Sequence, residues 1–558
     1  MWRCADAGAT LIDTADVYAP GPDAIGANER LVAAALASLG AGRSRIVVAT
    51  KGGLTRPQGR WLADGRARHL AAACEASLAR LGGEAIDLYQ LHAPDPRVPI
   101  RTSARALAGL RDRGLVRAIG LSNVSLAQLL EAAQVARIDA VQVSLGPWDD
   151  ESLRNGLVEH CLAEGIRVLA HSPLGGPRGA ARLERDRTVH ELAARLDVTP
   201  AVLALAWILD LDPRIVPLAG ATRPESARDL ARALSLELDR GTRAALDERF
   251  PGALLLRRPR SARRPIQAAG DVVIVMGSPA AGKSSLARGL VERGHARLNR
   301  DERGGTLRHL LPELERLLAA GRRQVVLDNT YATRSSRNHV IELAWKHGAP
   351  VRCLWLKTSL ADAQVNAALR MLERHGRLLD PAEIKQTARR DPQTFGPNVL
   401  FRYQRELEPP SLEEGFETVE QVEFARRSDA SRGARGVLVA LDAAMERPDG
   451  SSAWLAARTS EGCLLLAQAW RPRAADAGAA RRQALERLGI DLEVALCPHP
   501  NGPPRCWCRP PLPGLAVAFM ERHRLAPERS LLLGHGNGDR RLAEALGLGF
   551  VELEALAR

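Results

Sequence analysis

Residues 272–290 read VVIVMGSPAAGKSSLARGL and decide the fold of the middle of the chain. An apolar strand-like segment is followed by Gly-x-x-x-x-Gly-Lys-Ser and then by a helix-like pattern, which is the context that a phosphate-binding P-loop requires. Gly277 and Gly282 allow backbone N–H groups to surround a phosphate at the N-terminus of the helix. We expect Lys283 to reach the β- and γ-phosphates and Ser284 to hold Mg²⁺. The segment therefore predicts a P-loop NTPase α/β domain that binds ATP with Mg²⁺.

Acidic residues downstream of this motif are candidates for a kinase reaction. Asp301 ends the next predicted strand, in HARLNRD, and we expect it to act as the base for a substrate hydroxyl. Asp328 ends a further strand, in QVVLDNT, and is interpreted as an acidic group beside the cation site. Ser285 is a further nucleotide-binding candidate. Arg370, on the predicted helix ADAQVNAALRML, is expected to close over the nucleotide.

Length and composition set broad limits on the protein. The chain has 558 residues, too many for one hydrophobic core, so we expect about three domains. The sequence contains no apolar run of membrane-spanning length and no signal-peptide pattern, so we predict a cytoplasmic protein without a membrane partner. The net charge of +13 suits a phosphate-rich partner, but most of the excess is arginine scattered along the chain, which favours solvated surfaces.

The first 250 residues alternate short apolar strands with helix-like stretches. The strand segments are TLIDTA, RIVVATK, IDLYQLH, RAIGLSN, AVQVSL, RVLAHSP and RIVPLAG. Repeated βα units predict a (β/α)8 TIM barrel, whose chemistry lies at the C-terminal ends of the strands. Because only seven strands are found and the chain opens where the first helix is expected, we predict an N-terminally truncated barrel that lacks its first strand.

Four polar residues end or closely follow successive predicted strands: Asp13, Tyr18, Lys51 and His92. A carbonyl that accepts a hydride also needs a proton, and a phenol with a pKa of about 10 is a poor acid unless a cation stabilises the phenolate. We expect Lys51 to supply that charge and Asp13 to hold the ammonium group. His92 is placed to hydrogen-bond the substrate oxygen. The set predicts carbonyl reduction at the mouth of the barrel.

The motifs of this region resemble those of the aldo/keto reductases. They are DTADVY, ATKGG, LYQLH, GLVRAIGLSN, HSPLG and VPLAGATRPE, in order over about residues 5–250. The resemblance implies NADPH-dependent reduction of a small-molecule carbonyl, with Tyr18 as the general acid of the tetrad. The implied cofactor-binding residues are Ser122, Asn123 and Gln142 at the nicotinamide, Ser172 and Leu174 along the pyrophosphate, and Gly220, Thr222 and Arg223 near the adenosine phosphate.

Residues 251–270 separate the barrel from the P-loop domain and contain the basic segment RRPRSARRP, residues 257–265. A basic stretch with proline is typical of an interdomain linker. Attachment to nucleic acid is the alternative interpretation.

The P-loop domain is predicted to cover residues 271–427. Its segments GSPAAGKSS, LNRDERG, VVLDNTYATRSSR and EPPSLEEGFETVEQVEF resemble the kinase half of polynucleotide kinase–phosphatases. The resemblance implies transfer of the ATP γ-phosphate to a 5′-hydroxyl, with Asp301 as the base. The acceptor stays open between a nucleic-acid 5′ end and a small alcohol. Arg334 and Arg337 either meet an acceptor phosphate or are solvated.

Residues 428–558 form the predicted third domain. The segment RGVLVALDAAMERPDG resembles the first strand of haloacid dehalogenase (HAD) phosphatases, which implies a Rossmannoid α/β fold with Asp442 at the position of the nucleophile. Other positions where that family needs polar or charged catalytic groups hold Ala444, Ala467 and Leu512. In the late segment GHGNGD, His535 replaces the family's first Asp and only Asp539 remains. We therefore predict an inactive phosphatase-like domain.

The segment CPHPNGPPRCWC, residues 497–508, has metal-ligand spacing. Four nitrogen and sulfur ligands, Cys497, His499, Cys506 and Cys508, suit a structural tetrahedral Zn²⁺. Scattered Cys and His in a proline-rich loop are the alternative. The pattern resembles the zinc loop of the heptose-bisphosphate and histidinol-phosphate phosphatases. We expect removal of zinc to loosen the C-terminal domain and to leave kinase turnover unchanged.

Together these patterns predict a bifunctional enzyme with NADPH-dependent carbonyl reductase and ATP-dependent kinase activities. One alternative is a nucleic-acid 5′-end kinase whose barrel is regulatory. Another is a binding protein whose barrel senses NADPH without reducing a substrate. The candidate reductase residues and the candidate kinase residues are compatible with each of these functions.

Overall fold

Parallel β-sheets organise the whole chain. The computed structural model describes residues 8–220, 224–258, 260–265, 269–426, 431–472, 476–500, 502 and 505–557. The chain divides into two units, residues 1–264 and residues 265–558.

Nine strands lie among the described residues of the first unit. They are β1 (Leu11–Asp13), β2 (Val47–Gly52), β3 (Leu54–Thr55), β4 (Leu62–Ala63), β5 (Ile86–Leu91), β6 (Val116–Ser122), β7 (Ala140–Ser144), β8 (Arg167–His171) and β9 (Ile215–Leu218). Seven of them form one parallel sheet in the order β1-β2-β5-β6-β7-β8-β9, and β3 pairs with β4 in a small hairpin. This nearly closed parallel sheet confirms the predicted barrel architecture, and all seven predicted strand segments lie in it.

Helices follow most of the barrel strands. They are Ala27–Ala37, Ala67–Leu81, Ile100–Asp112, Leu126–Ala133, Glu151–Arg154, Leu157–Ala163, Gly176–Arg185, Arg187–Arg195, Pro200–Leu209, Pro224–Ser235, Arg240–Arg249, Leu254–Arg257 and Arg260–Arg263. Local sequence sets several of their starts; for example, Ser125 and Gln128 form a capping box that satisfies backbone N–H groups at the helix start. Apolar helix faces pack around the sheet and form a continuous core.

Among the described residues, no single helix is long and apolar enough to span a membrane. Only the bent pair Arg187–Arg195 and Pro200–Leu209 reaches the required length and apolar character, and only when its two helices are counted together.

The segment that we predicted as a linker starts inside the first unit. Ala253 is fully buried and Leu255 is nearly so, and both belong to the barrel core. The guanidinium of Arg257 lies 2.8 Å from the carboxylate of Asp210 and 2.7 Å from that of Asp247. These contacts attach residues 251–257 to the barrel. Pro259 and residues 266–268 lie outside the described residues.

The second unit contains two five-stranded parallel sheets. Its strands are β10 (Asp271–Gly277), β11 (Ala296–Leu298), β12 (Gln324–Asp328), β13 (Val351–Lys357), β14 (Val419–Glu423), β15 (Gly436–Ala440), β16 (Leu464–Trp470), β17 (Glu493–Cys497), β18 (Leu531–Gly534) and β19 (Gly549–Glu552). The sheet orders are β11-β12-β10-β13-β14 and β17-β16-β15-β18-β19. The first sheet carries the P-loop after its central strand β10, and the second contains the predicted phosphatase-like segment.

Helices cover both sheets of this unit. They are Lys283–Glu292, Arg300–Arg303, Leu311–Ala319, Arg334–Lys346, Leu360–His375, Pro381–Thr387, Asn398–Glu406, Leu441–Glu446, Pro448–Ser460, Ala477–Leu488, Gly514–His523 and Gly536–Leu546. The helix Leu360–His375 packs on Gly514–His523 and Gly536–Leu546, so Val365 and Ala368 share an apolar core with residues of the last sheet. The predicted second and third domains are therefore packed into one unit.

Candidate active sites and the cysteine–histidine cluster

The barrel brings the four predicted tetrad residues together at the C-terminal ends of β1, β2 and β5. The Nζ atom of Lys51 donates hydrogen bonds of 2.6 Å to Oδ2 of Asp13 and 3.4 Å to the phenol oxygen of Tyr18. The ring of His92 packs edge-on against that of Tyr18, with centroids 5.6 Å apart. Lys51 is completely buried, so its charge acts on the phenol with little screening by water.

Burial fixes the protonation state of His92. Burial, followed by the nearby charge of Lys51, lowers the pKa of the imidazole to about 3. The ring is therefore neutral at physiological pH and has one N–H to donate. Its Nδ1 atom is buried and has no hydrogen-bond partner among the described residues. A neutral donor at this position is suited to a carbonyl oxygen.

The predicted nicotinamide-binding residues surround the tetrad. Gln142 donates a 2.8 Å hydrogen bond from Nε2 to Oδ1 of Asp13. Asn123 donates to the carbonyl of His92 at 3.1 Å and to Oγ of Ser122 at 3.1 Å. Sequence reasoning missed His171, whose Nε2 lies 3.2 Å from Oδ1 of Asn123. Its place at the end of β8 was the signal that could have revealed it.

The other residues predicted to bind the cofactor follow β8 and β9. Oγ of Ser172 lies 3.2 Å from Nδ1 of His171. Leu174 is half-buried against apolar residues of the barrel, and Gly220 is exposed beyond β9. Thr222 and Arg223 lie outside the described residues, so the contacts with the adenosine phosphate stay a prediction.

A buried carboxyl close to the tetrad was not predicted. Asp16 is 5% exposed, and burial, followed by the charge of Glu29, raises its pKa to about 7. Its Oδ1 accepts a 2.7 Å hydrogen bond from the backbone N–H of Val17. The backbone of Asp16 is bonded to β2 through the carbonyl of Lys51. The loop that carries Tyr18 therefore contains a group that titrates near neutral pH.

The P-loop has the conformation that its sequence predicts. Gly277 ends β10, and Gly282 has a φ of +94° immediately before the helix Lys283–Glu292. Lys283 donates to the carbonyls of Gly277 at 3.0 Å and Ser278 at 2.7 Å. Burial lowers the pKa of Lys283 to about 8. The nearby carboxylates do not fully offset the effect of burial on this ammonium group. A bound polyphosphate would add negative charge beside it and favour its protonated form.

The residues present fit a Mg²⁺ site. Oγ of Ser284 donates a 3.0 Å hydrogen bond to Oδ2 of Asp328. Asp328 is buried, and its Oδ1 has no hydrogen-bond partner among the described residues. A hydroxyl and a free carboxylate oxygen are ligands that Mg²⁺ prefers. Arg297, which sequence reasoning missed, contacts Oδ2 of Asp328 at 2.5 Å and neutralises part of its charge.

A cavity of 480 Å³ joins these groups to the other kinase candidates. Its wall includes Lys283, Ser285, Asp301, Asp328 and Arg370. The side chain of Asp301 is 30% exposed, and its Oδ1 accepts a 2.7 Å hydrogen bond from the neighbouring Arg300. Burial lowers the pKa of Arg370. The structure thus brings the predicted base Asp301, the predicted cation-site residue Asp328 and Arg370 to one cavity.

Arg337 has a role that neither of our interpretations anticipated. It is fully buried and forms a two-point ion pair with Glu414, with N···O distances of 2.7 and 2.6 Å. It is therefore neither solvated nor available to an acceptor phosphate. The backbone N–H of Arg334 donates to Glu408 at 2.6 Å.

Four predicted metal ligands converge at the end of β17. The Sγ atom of Cys497 lies 3.7 Å from Sγ of Cys506, 3.5 Å from Sγ of Cys508 and 3.5 Å from Nδ1 of His499. A tetrahedral Zn²⁺ with Zn–S bonds of about 2.3 Å sets its ligand atoms about 3.8 Å apart. A disulfide would need about 2.05 Å between sulfurs. The cluster therefore fits one thiophilic cation.

The residues at the predicted phosphatase-like positions are paired or apolar where the structure describes them. Arg471 donates two hydrogen bonds to Asp442, one of them 2.6 Å long. Ala444 and Ala467 are fully buried in the core of the sheet. Asp539 accepts a 3.0 Å hydrogen bond from the backbone of His535.

Family models match two parts of the chain. Residues 1–249 match the model of the aldo/keto reductase family, and residues 272–391 match the model of an AAA domain. The chain therefore carries an aldo/keto reductase domain, followed by a kinase-type P-loop domain.

Solved structures similar to the chain include several aldo-keto reductases. A thermostable aldo-keto reductase in complex with the inhibitor epalrestat is 29% identical, over 44% of this chain and 85% of that chain, with a TM-score of 0.38. The glycerol dehydrogenase of Gluconobacter oxydans is 26% identical, over 46% and 85%, with a TM-score of 0.40. The aldo/keto reductase of Klebsiella pneumoniae in complex with NADP and acetate is 26% identical, over 45% and 83%, with a TM-score of 0.39.

Proposed function

We propose that this chain is a bifunctional enzyme that reduces a small-molecule carbonyl with NADPH and phosphorylates a hydroxyl group with ATP. The observation that carries the proposal is the contact of the buried Lys51 ammonium with both Asp13 and the Tyr18 phenol. The converging P-loop and Asp301 support the second activity.

In the reductase, Tyr18 donates its phenolic proton to the carbonyl oxygen of the substrate. Lys51 stabilises the phenolate that results, and Asp13 keeps the ammonium group in place. Neutral His92 donates a hydrogen bond to the same carbonyl oxygen and orients it. When bound, NADPH supplies the hydride for the carbonyl carbon. Ser122, Asn123, Gln142, Ser172, Leu174 and Gly220 are its proposed contacts.

In the kinase, Asp301 accepts the proton of the acceptor hydroxyl as that oxygen attacks the γ-phosphorus of ATP. The bond from the γ-phosphorus to the bridging oxygen breaks, and ADP leaves. Lys283 and Arg370 compensate the negative charge on the transferred phosphoryl group. Ser284 and Asp328 would hold Mg²⁺, which neutralises phosphate charge. The acceptor is a nucleic-acid 5′-hydroxyl or a small alcohol.

We propose that residues 428–558 are an inactive HAD-type scaffold with a structural zinc site. The ion pair of Asp442 with Arg471 and the apolar Ala444 and Ala467 support the loss of phosphatase chemistry. The tetrahedral spacing of Cys497, His499, Cys506 and Cys508 supports the metal site.

The kinase is tested with radiolabelled ATP against 5′-hydroxyl oligonucleotides and a panel of small alcohols. Asp301→Asn should lower turnover by about 100-fold or more, because a general base typically contributes that much. Glu292→Gln, at the exposed far end of the P-loop helix, is the matched control. Full activity of Asp301→Asn would contradict the assignment of the base. Label transfer to oligonucleotides that falls steeply with salt would favour a nucleic-acid acceptor.

The reductase is tested by NADPH oxidation with a panel of aldehydes. Turnover supports catalysis by the barrel. NADPH binding without turnover of any aldehyde, unchanged in Tyr18→Phe, would instead identify the barrel as a sensor.

A further inference from the structure

Trp507 stands between two of the predicted metal ligands but packs outside its own domain. Its ring is fully buried, and it shares an apolar cluster with residues of the P-loop domain. The other fully or largely buried members are Ala280, Ala363, Ala367, Met371, Leu379, Ile384, Phe395 and Leu400. The indole N–H donates a 2.8 Å hydrogen bond to the carbonyl of Phe395, and the two rings meet edge-on at 6.2 Å.

The partners of Trp507 form part of the nucleotide cavity. Ala280 is a P-loop residue with a φ of +62°, a left-handed conformation that is unfavourable for alanine. Its carbonyl accepts a 2.9 Å hydrogen bond from Asn366. Ala280 and Phe395 both line the 480 Å³ cavity. Trp507 therefore packs directly against Phe395 in the wall of this cavity, and it shares an apolar cluster with Ala280 of the P-loop.

The position of Trp507 is set by the cluster around it. Cys506 and Cys508 hold the chain on either side, 3.7 and 3.5 Å from Sγ of Cys497. The backbone carbonyl of Trp507 accepts a 3.1 Å hydrogen bond from Gly514. A Cβ at Gly514 would lie 2.5 Å from that carbonyl oxygen, so this close approach requires glycine. The ring cannot shift far without breaking the cluster.

We propose that Trp507 is a positioning residue of the kinase site, and that a thiophilic divalent cation such as Zn²⁺ on Cys497, His499, Cys506 and Cys508 keeps it there. The C-terminal domain then completes the nucleotide pocket of the P-loop domain. This inference rests on the proposed kinase function. It replaces the sequence-based expectation that loss of zinc would leave the kinase unchanged.

The test measures the Kd of Mg-ADP for the full chain by calorimetry, together with bound metal by mass spectrometry. The protein as purified should carry about one zinc per chain. Chelation should weaken Mg-ADP binding about tenfold, a typical coupling between sites, and added Zn²⁺ should restore it. Unchanged binding by metal-free protein would overturn the inference.

Variants separate positioning from folding. Trp507→Phe keeps an aromatic ring but loses the hydrogen bond to Phe395, and should weaken Mg-ADP binding about fivefold with zinc still bound. Trp454→Phe is the matched control, since Trp454 packs in the core of the last sheet. Cys508→Ser should behave like the chelated protein. Cys463→Ser, outside the cluster, should not.

The outcomes distinguish the two proposals. If the unmodified chain binds no Mg-ADP, the proposed kinase function fails. If the unmodified chain binds Mg-ADP, and the two variants Trp507→Phe and Trp507→Ala and the chelated protein all bind it equally well, only the proposed coupling fails. Far-UV circular dichroism of each variant shows whether a loss of binding reflects unfolding. If Trp507→Ala is unfolded, the binding measured with Trp507→Phe decides whether Trp507 positions the site.

Discussion

Lys51 and Tyr18 are in direct contact: the ammonium nitrogen of Lys51 lies 3.4 Å from the phenol oxygen and 5.0 Å from the centroid of the ring. Asp13 and the carbonyl of Thr14 hold the other two ammonium protons, at 2.6 and 2.9 Å. The cation is therefore fixed beside the phenol that loses its proton in the proposed mechanism. This pairing makes the reductase proposal open to direct tests.

Removing the phenol oxygen should abolish most reduction while leaving the cofactor bound. We expect Tyr18→Phe to lower kcat by about 100- to 10,000-fold, the usual contribution of a general acid. NADPH oxidation and NADPH binding by fluorescence are measured on the same samples. Tyr89→Phe removes a buried hydroxyl that is bonded to the carbonyl of Leu70 and serves as the control. Turnover by Tyr18→Phe close to that of the unchanged chain would exclude Tyr18 as the acid.

Asp16 predicts a pH-dependent stability. Its folded-state pKa of about 7 lies above the ordinary value of 3.8, so the folded chain binds more protons between these values. Stability therefore falls as pH rises from about 4 to 7, and the loss persists at higher pH. Asp16→Asn should raise the melting temperature of the reductase unit at both pH values, and clearly more at pH 8 than at pH 5. Calorimetry of the full chain at both values checks this, with the exposed Asp23→Asn as control. An equal shift at both pH values would contradict it.

Asp328 should control the Mg²⁺ dependence of nucleotide binding. Asp328→Asn keeps an acceptor for Ser284 but loses the charge that a divalent cation needs. We expect the Mg²⁺ concentration for half-maximal kinase activity to rise about tenfold or more, with ADP binding in the absence of Mg²⁺ largely kept. Titration of Mg²⁺ at saturating ATP measures the shift. An unaltered Mg²⁺ requirement would mean that Asp328 does not face the cation.

The ion pair of Arg337 with Glu414 should be structural. Arg337→Met leaves a buried carboxylate without its partner, which typically costs about 3–5 kcal/mol. Arg334→Met, in the first turn of the same helix, leaves this ion pair intact. Urea unfolding of the two variants should therefore differ strongly. Similar stabilities of the two variants would contradict a structural role for the ion pair. A selective loss of acceptor affinity in Arg337→Met would support the acceptor-phosphate interpretation.

Local sequence was sufficient to group the candidate residues of both proposed sites. Gly277, Gly282, Lys283 and Ser284 act within one turn between a strand and a helix, so their spacing alone fixes their geometry. Asp13, Lys51 and His92 are far apart in sequence, but each lies at the C-terminal end of a parallel strand. Because parallel strands of one barrel end at the same face, reading strand ends was enough to group them.

Long-range pairings were not predictable in the same way. Arg297 meets Asp328, and Arg337 meets Glu414 across 77 residues, because neighbouring strands and helices bring them together. A charged residue in a helical or strand pattern looks solvated in sequence, and only its burial shows that it must be paired. Likewise, the helical residues 251–257 look like a basic linker until Ala253 and Leu255 are seen in the barrel core.

The sequence by itself determined the barrel, the P-loop and the spacing of the cysteine–histidine cluster, because each depends on local periodicity or on ligand spacing. Only the tertiary structure decided that Trp507 lies against Phe395, 112 residues earlier, in the wall of the nucleotide cavity. The physical reason is that an apolar ring gains stability from any well-packed surface. The sequence near Trp507 does not specify that surface, and the packing of the two α/β domains decides which residues cover the ring.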